Sequence, residues 1–509
     1  GPNQGNFVNN GIITADRAWT AKLTEVKHVY QYVKFVGFNN LTKVLTIKNK
    51  YDFTNLNNFY VKYVVLRNGI EVETGTVDIP SVLPDGTCSL TIPFTTDYSQ
   101  NGEYMINFNV CLKQSTIWAD ADYSIADYQY TLRNRDAVLP AVIDSADDLV
   151  LTQNSLSTTI TNSKFIISFD AKGNITSWKY NNNDIINAGS NGPIYNNFRW
   201  MDNDGNGDTN NGITSSVVNA VTMSADKKSC TIQITVNGSK CPYKLEYTIY
   251  STGVVDIKPT FTPAVADLRR IGLCMSFPKG YENVEYYAKG PWSNYIDRQK
   301  GSFLGRYVTT VDDMFEPLPH PQTYGDRQGL RELILGNNTT GDTLKIETEG
   351  QVSFSLSHYD ETKYSTYQLH PWDLTRLNPT YAHFDYMQRG IGNGSCGPGT
   401  IDKYKCPSTG TFSYKLRFTP KKKITTDGIS ETKQKSDHVI YYDRAKQHII
   451  CNGSFDKSST IELYNIGGVC ISKTKCADNK GTVVISTAGQ PQGIYIIKIQ
   501  NDKSHVITI

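Results

Sequence analysis

Gly290-Pro291-Trp292-Ser293-Asn294-Tyr295-Ile296-Asp297-Arg298 opens the stretch around which the chain is organised. Gly305-Arg306-Tyr307 and Pro321-Gln322-Thr323-Tyr324-Gly325-Asp326-Arg327 follow it, and Gly390-Ile391-Gly392-Asn393-Gly394-Ser395-Cys396-Gly397-Pro398 closes it. Glycine and proline at this density let the backbone reach positive φ and turn sharply, so loops dominate here. The Trp, Tyr, Asp, Asn and Arg between them are the side chains that stack on and hydrogen-bond sugars. Taken alone, that composition suits any large β protein as well.

Outward from this stretch, 509 residues suggest roughly three domains of about 100 to 200 residues each. Lys+Arg 51 against Asp+Glu 49 gives a formal charge of +2, so no long-range field recruits nucleic acid or an anionic membrane. No apolar run approaches the roughly 18 residues that span a bilayer, and the N-terminus lacks a charged-then-apolar leader, so the chain reads as an excised or processed piece. Ten cysteines, without a CxxC pair or zinc spacing, are too sparse for a disulfide scaffold. Cys396 and Cys406 flank one glycine-rich loop and could bridge it; buried free thiols are the alternative this reading favours. Tyr outnumbers Phe, 32 to 19, which fits an extracytoplasmic β protein with half-wet rings.

Near the N-terminus, Leu23, Val26, Tyr30 and Val33 recur at helical spacing with Asp16 or Thr20 as a cap, predicting one short helix of about three turns. Between Leu41 and Leu132 the period becomes two. Phe59, Val61, Tyr63 and Val65 alternate, Asn68-Gly69 signals a hairpin, and Tyr104 to Leu112 and Tyr128 to Leu132 give further strands. This spacing predicts an immunoglobulin-like β-sandwich over 36–135. Residues 136–150, with Pro140 and an acidic run, read as a linker. From 151 to 423 the pattern is almost wholly strand, including Ser229 to Ile249 and Phe412 to Phe418. That is too much for one ordinary sandwich, so a two-sheet supersandwich is expected. Charged residues 424–438 read as a second linker, and 439–509 as a small C-terminal β-sandwich. The fold class is thus all-β with one short N-terminal helix.

The order of the opening motifs resembles the small-chain domain of glycoside hydrolase family 2 β-galactosidases, whose pattern runs G-P-x-E-N-Y-x-D-R, G-R-Y, P-x-E-N-G-x-R and G-x-G-x-x-S-W-x-P. Asp313-Met314-Phe315-Glu316-Pro317 supplies that family's acidic-Met-aromatic-x-Pro segment. Ser293 stands for its Glu, Thr323-Tyr324 for its Glu-Asn and Cys396 for its Trp; these changes bear on sugar contacts and leave the fold. The resemblance implies a galactose-mutarotase-like supersandwich, with a spacer sandwich before it. It makes residues 1–35 the end of a (β/α)8 catalytic barrel, with Phe7 and Asn10 in the sugar pocket. Ile461-Glu462-Leu463-Tyr464-Asn465-Ile466-Gly467-Gly468 and Gly493-Ile494-Tyr495 resemble a type IX secretion sorting domain, although Gln490-Pro491 replaces its usual Leu-Pro. An ordinary accessory β domain is the alternative. A periplasmic, secreted or cell-surface location follows from the sorting resemblance.

Asp202-Asn203-Asp204-Gly205-Asn206-Gly207-Asp208 places oxygen ligands at alternate positions like the first half of a calcium loop, with Asp202, Asp204, Asn206 and Asp208 as ligands. Ile213 at the twelfth position removes the closing Glu of an EF-hand. The family resemblance reads the same loop as a pocket loop, with Asp202, Asp204 and Asp208, and Ser395 and Cys396 of the later loop, as substrate contacts. No cofactor is certain, and a calcium, alkali or magnesium cation belongs to the parent enzyme at most. Glycoside hydrolysis needs two carboxyl groups, about 5 to 5.5 Å apart in retaining enzymes. In the family both lie on the barrel, so no catalytic residue is expected here. A mutarotase-like activity would need a His acid and a Glu base; His320, His358, His370 and His383 are available in the right domain. Expected partners are a β-galactoside or galactose-containing glycan and the catalytic barrel of the parent chain, with a homo-oligomer left open. The rival readings are a carbohydrate-binding module stacking sugar on Trp292, Tyr295 and Trp372, and a purely structural oligomerisation role.

Overall fold

Asn68 and Gly69 both take left-handed φ, 50° and 78°, as the primed turn joining two right-twisted strands requires. Through that turn Phe59–Arg67 pairs antiparallel with Ile70–Asp78 in the computed structural model. It describes residues 11–142, 146–187, 192–201, 211–364, 370–392, 399–421, 439–443, 448–453, 460–465, 470–475, 481–487, 489–490, 494–499 and 505–508. Tyr104–Leu112 and Ser124–Arg133 complete a four-stranded sheet. A three-stranded sheet of Val33–Asn39, Val44–Asn49 and Thr87–Thr91 faces it. Period-two patterning sends Val61, Val65, Ile106, Phe108 and Val110 from one sheet, and Leu45, Ile47 and Leu90 from the other, into a single core.

Helix α1 covers Ala21–Val29, and the Thr20 side chain caps it by accepting from the Leu23 amide. It is shorter than the expected three turns. Tyr30 is its C-cap and Val33 opens a strand, so the i, i+3 recurrence carried one apolar residue too far.

Further along the chain, ten strands form one sheet. Its path runs Ile213–Met223, Ser229–Gly238, Tyr243–Tyr250, Val255–Phe261, Lys415–Lys421, Thr343–Glu349, Glu332–Asn337, Tyr281–Gly290 and Phe303–Thr310, with Phe412–Ser413 also pairing on Val255–Phe261. Two smaller sheets lie across it. One has four strands, Ile194–Tyr195, Arg270–Phe277, Thr380–Gln388 and Ser353–Ser357. The other has five, between Val150–Gln153 and Asn183–Asp184. Aromatic pairs join the layers: Phe169 with Tyr247 at 5.1 Å, Trp178 with Phe418 at 5.5 Å and Tyr286 with Phe354 at 5.3 Å between ring centroids.

A buried polar seam joins the two sandwiches. Arg331 donates to both oxygens of Glu103, at 2.9 and 3.1 Å, and the Tyr287 hydroxyl donates to the same carboxylate at 2.7 Å. Burial works against the Glu103 charge, yet Arg331 beside it keeps the carboxyl below the ordinary range. Gln129 exchanges two hydrogen bonds with the main chain of Leu304, and Arg306 donates to the Asn68 carbonyl.

The chain divides into two compact units, residues 1–306 with 310–422 and residues 307–309 with 423–509. In the second, a three-stranded sheet, Val439–Asp443, His448–Gly453 and Gly481–Ser486, and a four-stranded sheet, Cys470–Lys475, Thr460–Asn465, Ile494–Ile499 and His505–Thr508, share a core that includes Ile449, Cys451, Ile461, Leu463 and Ile497. The eight described cysteines are free; Cys406 is buried, and burial pushes its thiol up to about 12. Among the described residues no helix is long and apolar enough to cross a membrane.

Candidate functional site

Strand Tyr281–Gly290 delivers the chain into the opening motif, whose side chains then turn inward. Asn294 donates to the Lys289 and Trp292 carbonyls, accepts from the Gln328 amide at 2.9 Å, and its own amide donates to the Asp326 carbonyl at 2.7 Å. Arg327 donates to the Tyr286 hydroxyl and the Pro291 carbonyl and lies over the Tyr286 ring. The first and third motifs are therefore sewn to each other. Asn294, Asp326, Arg327 and Tyr295, the last only 3% exposed, are buried. That corrects the expectation that these loops present their polar and aromatic side chains to sugar. Tyr295 is not a stacking platform, because its ring is already packed.

The departures from the family pattern fit this interior. Ser293, where a Glu is usual, is buried and accepts from Arg298 at 3.0 Å. Tyr324 is buried among Phe198, Trp200 and Tyr364, with its hydroxyl 3.0 Å from that of Ser357. Thr323 exchanges two hydrogen bonds with the backbone of Trp200, at 2.7 and 3.0 Å.

Phe7, Asn10, Asp202, Asp204, Asn206, Asp208, Ser395 and Cys396 lie outside the described residues. Their loops' stems are described. Asn197 to Met201 leads into the Asp202 loop, and Arg389 to Gly392 into the Ser395 loop. Fully buried Arg199 donates to the carbonyls of Arg389 and Gly390, the second at 3.3 Å, so the two stems lie side by side. Asp297 of the opening motif accepts from the Gly392 amide at 2.7 Å. A Cβ on Gly390 would sit 2.6 Å from that carboxylate, so a larger residue would force Asp297 to shift. Asn211, beyond the first loop, ties back to Asn197 and Tyr195.

Beneath the stems is a charge cluster that the sequence reading missed. Arg270 donates to Asp385 at 2.8 Å and to Glu361 at 3.3 Å, and His383 Nε2 lies 3.0 Å from Glu361. Burial would raise the Glu361 carboxyl, but Arg270 and His383 hold it down at about 2. Asp326, buried and facing Asp385, is pushed up to about 7. Of the histidines considered, His383 is the one placed against a glutamate among the described residues; it is buried, and its partner Glu361, largely buried, is also held by Arg270. His358 Nδ1 lies 3.0 Å from the Pro379 carbonyl and His370 pairs with Asp373. The cluster is a brace between strands of the four-stranded sheet and the turn at Glu361. Among the described residues no group of three or more His, Cys, Asp or Glu is placed to hold a metal.

Of the three stacking candidates, two remain at the surface. Trp292 is 38% and Trp372 is 78% exposed. Trp372 stacks parallel on His370, ring centroids 4.7 Å apart, and Asp373 fixes His370 through its amide at 2.9 Å and its ring at 3.1 Å.

Comparison with known proteins agrees with this architecture. Residues 161–418 match a family model described as beta galactosidase small chain, 45–133 one described as beta-galactosidase domain 4, and 445–508 one described as a secretion system C-terminal sorting domain. A β-galactosidase of Priestia megaterium is 28% identical over 408 residues, covering 77% of this chain and 39% of the relative. One from Halalkalibacterium halodurans is 26% identical over 426 residues, covering 79% and 41%. The chain thus spans about two fifths of the length of these curated relatives. Among solved structures, a GalM/aldose epimerase homologue from C. elegans covers 54% of this chain and 99% of its own at 11% identity and a TM-score of 0.31, too loose a likeness to add to the assignment. Since the small-chain model takes in just over half of the 509 residues, over the span that holds the four motifs, the chain belongs to the β-galactosidase small chain family.

Proposed function

We propose that this chain is the C-terminal, non-barrel part of a secreted or cell-surface β-galactosidase. In this reading the supersandwich contributes two loops to a galactoside pocket whose catalytic carboxylates lie on an upstream barrel. The observation that carries it is the grip of Arg199 on the Arg389 and Gly390 carbonyls, which sets the stems of the two loops side by side. Phe7, Asn10, Asp202, Asp204, Asp208, Ser395 and Cys396 keep their role as sugar contacts within this proposal, on the family resemblance alone. The domain map 1–35, 36–135, 151–423 and 439–509, with linkers between, belongs to the same proposal, as does secretion directed by the C-terminal block.

The test has two arms. The coding sequence upstream of Gly1 should encode a barrel carrying two catalytic glutamates, and the purified chain alone should not hydrolyse a chromogenic β-galactoside. An unrelated upstream sequence, or turnover that survives repurification, would sink the reading. Exposed Trp372, held flat on His370, favours a second reading, a galactoside-binding module acting without a barrel. Saturable binding of galactose oligosaccharides by this chain, abolished by Trp372→Ala, would select it.

A further inference from the structure

Helix α1, the strand Ser124–Arg133 and the connection from Lys289 to Phe303 border a half-open cavity of about 420 Å³, lined among others by His28, Tyr128, Lys289, Gln299, Ser302 and Phe303. That volume lies within the usual range for small-molecule sites, about 300 to 1,000 Å³. Its charges are unevenly matched. Lys289 is partly buried and donates to Gln299 Oε1 at 2.9 Å, while the Lys300 side chain, also on the wall, is exposed. No carboxylate among the described residues stands within ion-pair distance of either amine. Those nearby are already engaged: both oxygens of Glu25 accept from the Lys300 and Gly301 amides, Asp127 pairs with His28, and Glu103 with Arg331. Burial correspondingly lowers the Lys289 ammonium below its ordinary range, with Arg331 adding to the shift and Glu25 opposing it.

The rest of the wall suits a hydroxylated ring. Ser302 is buried and commits its amide to the Gln299 carbonyl, leaving its hydroxyl for a ligand. Phe303 meets His28 edge-on at 5.8 Å, and Tyr128 lies 6.1 Å from His28, so aromatic carbon borders the polar floor. We propose that this cavity binds a monosaccharide acid, its carboxylate between the Lys289 and Lys300 amines, a hydroxyl on Ser302, and its C–H face against Phe303 and Tyr128, while Gln299, held by the Ile296 carbonyl, positions Lys289. This site is separate from the stems at Arg199 and does not depend on the reading given above.

Calorimetric titration of the 509-residue chain with D-galacturonate and D-glucuronate, against D-galactose and sodium acetate, tests it. Saturable binding of at least one uronate is expected, about tenfold or more tighter than either control, since a hydrogen bond to a charged group carries that much. Lys289→Met should abolish binding with the fold intact by circular dichroism. If that variant does not fold, Lys300→Gln at the exposed rim should weaken binding severalfold and Ser302→Ala likewise. Equal affinity for galactose and the uronates would overturn the proposal, as would acetate binding as tightly as a uronate, no saturable binding at all, or affinity unchanged by the variants that fold.

Discussion

The Arg199 guanidinium reaches 191 residues along the chain to donate to the Gly390 carbonyl at 3.3 Å, and its other arm holds the carbonyl of Arg389. A charged donor fully buried on two carbonyls fixes the distance between the segments that bear them. Arg199→Met should therefore cost about 2 to 3 kcal/mol in denaturant unfolding. Amide exchange should accelerate at Asn197 to Met201 and Arg389 to Gly392 more than in the strand Glu332–Asn337. Uniform acceleration across the supersandwich would refute the clamp.

Gly390 fits only because nothing extends from its Cα toward Asp297, whose carboxylate a Cβ would meet at 2.6 Å. Gly390→Ala is expected to destabilise by about 1 to 3 kcal/mol, the usual cost of overpacking. Adding Asp297→Ala should recover part of that loss, and a double-mutant cycle showing simple additivity would disprove the contact.

Removing the cation from the Arg270, Asp385 and Glu361 cluster leaves one fully buried carboxylate, Asp385, and one largely buried, Glu361, without their counter-ion. Arg270→Met should cost about 3 to 5 kcal/mol. Arg270→Met with Asp385→Asn and Glu361→Gln should cost less than the single variant; a larger cost would mean that the charges do not act as one group.

Asp326 and Glu361 make opposite contributions to the pH dependence of stability. Burial, with Asp385 facing it, pushes Asp326 from 3.8 up to about 7, so the folded chain keeps a proton that the unfolded chain has lost. Its effect is neutral below about pH 4 and increasingly destabilising as pH rises toward 7, at most about 1.4 kcal/mol per pH unit. Glu361, held at about 2 against an ordinary 4.5, stabilises above 4.5 and loses that stabilisation as pH falls through 2. Asp326→Asn should flatten the decline between pH 4 and 7 and raise Tm at pH 8 relative to the parent. Parallel Tm curves for the two would rule this out.

Residues 424–438 are charged and poor in apolar side chains, and short strands with a core of their own follow. Limited proteolysis should release a fragment of about 70 residues from the C-terminus, since a charged, apolar-poor connection is the expected point of cutting. Cleavage spread evenly through 151–423 would contradict the proposed map.

Strand character was legible wherever one face is buried and the other wet, as in Phe59–Arg67, and the Asn68-Gly69 turn was legible because few other pairs adopt left-handed φ twice. Val33 misled because an apolar residue three beyond Tyr30 suits a helix and a strand start equally. The Gly290 and Pro321 motifs lie in loops as expected while Gly305-Arg306-Tyr307 lies in a strand, and none of them revealed the role of Asn294 or Arg327, since composition does not say whether a polar side chain faces protein or solvent. Arg270, Glu361 and Asp385 meet across 91 and 115 residues, and no local spacing encodes that meeting. Their one local trace is charge within apolar strands, as in Arg270-Ile271-Gly272-Leu273 and His383-Phe384-Asp385.

The Asn68-Gly69 turn belongs to the first sandwich by sequence but rests on the second: Arg306 donates to the Asn68 carbonyl, and a Cβ on Gly69 would strike the Tyr287 ring at 2.8 Å. A hairpin tip is ordinarily where lineages accumulate insertions and where engineers splice domains. Here that freedom is gone. A chimera that exchanged one sandwich alone would bring a foreign turn onto Tyr287 and Arg306, so recombination has to carry the two together, as a single heritable cassette.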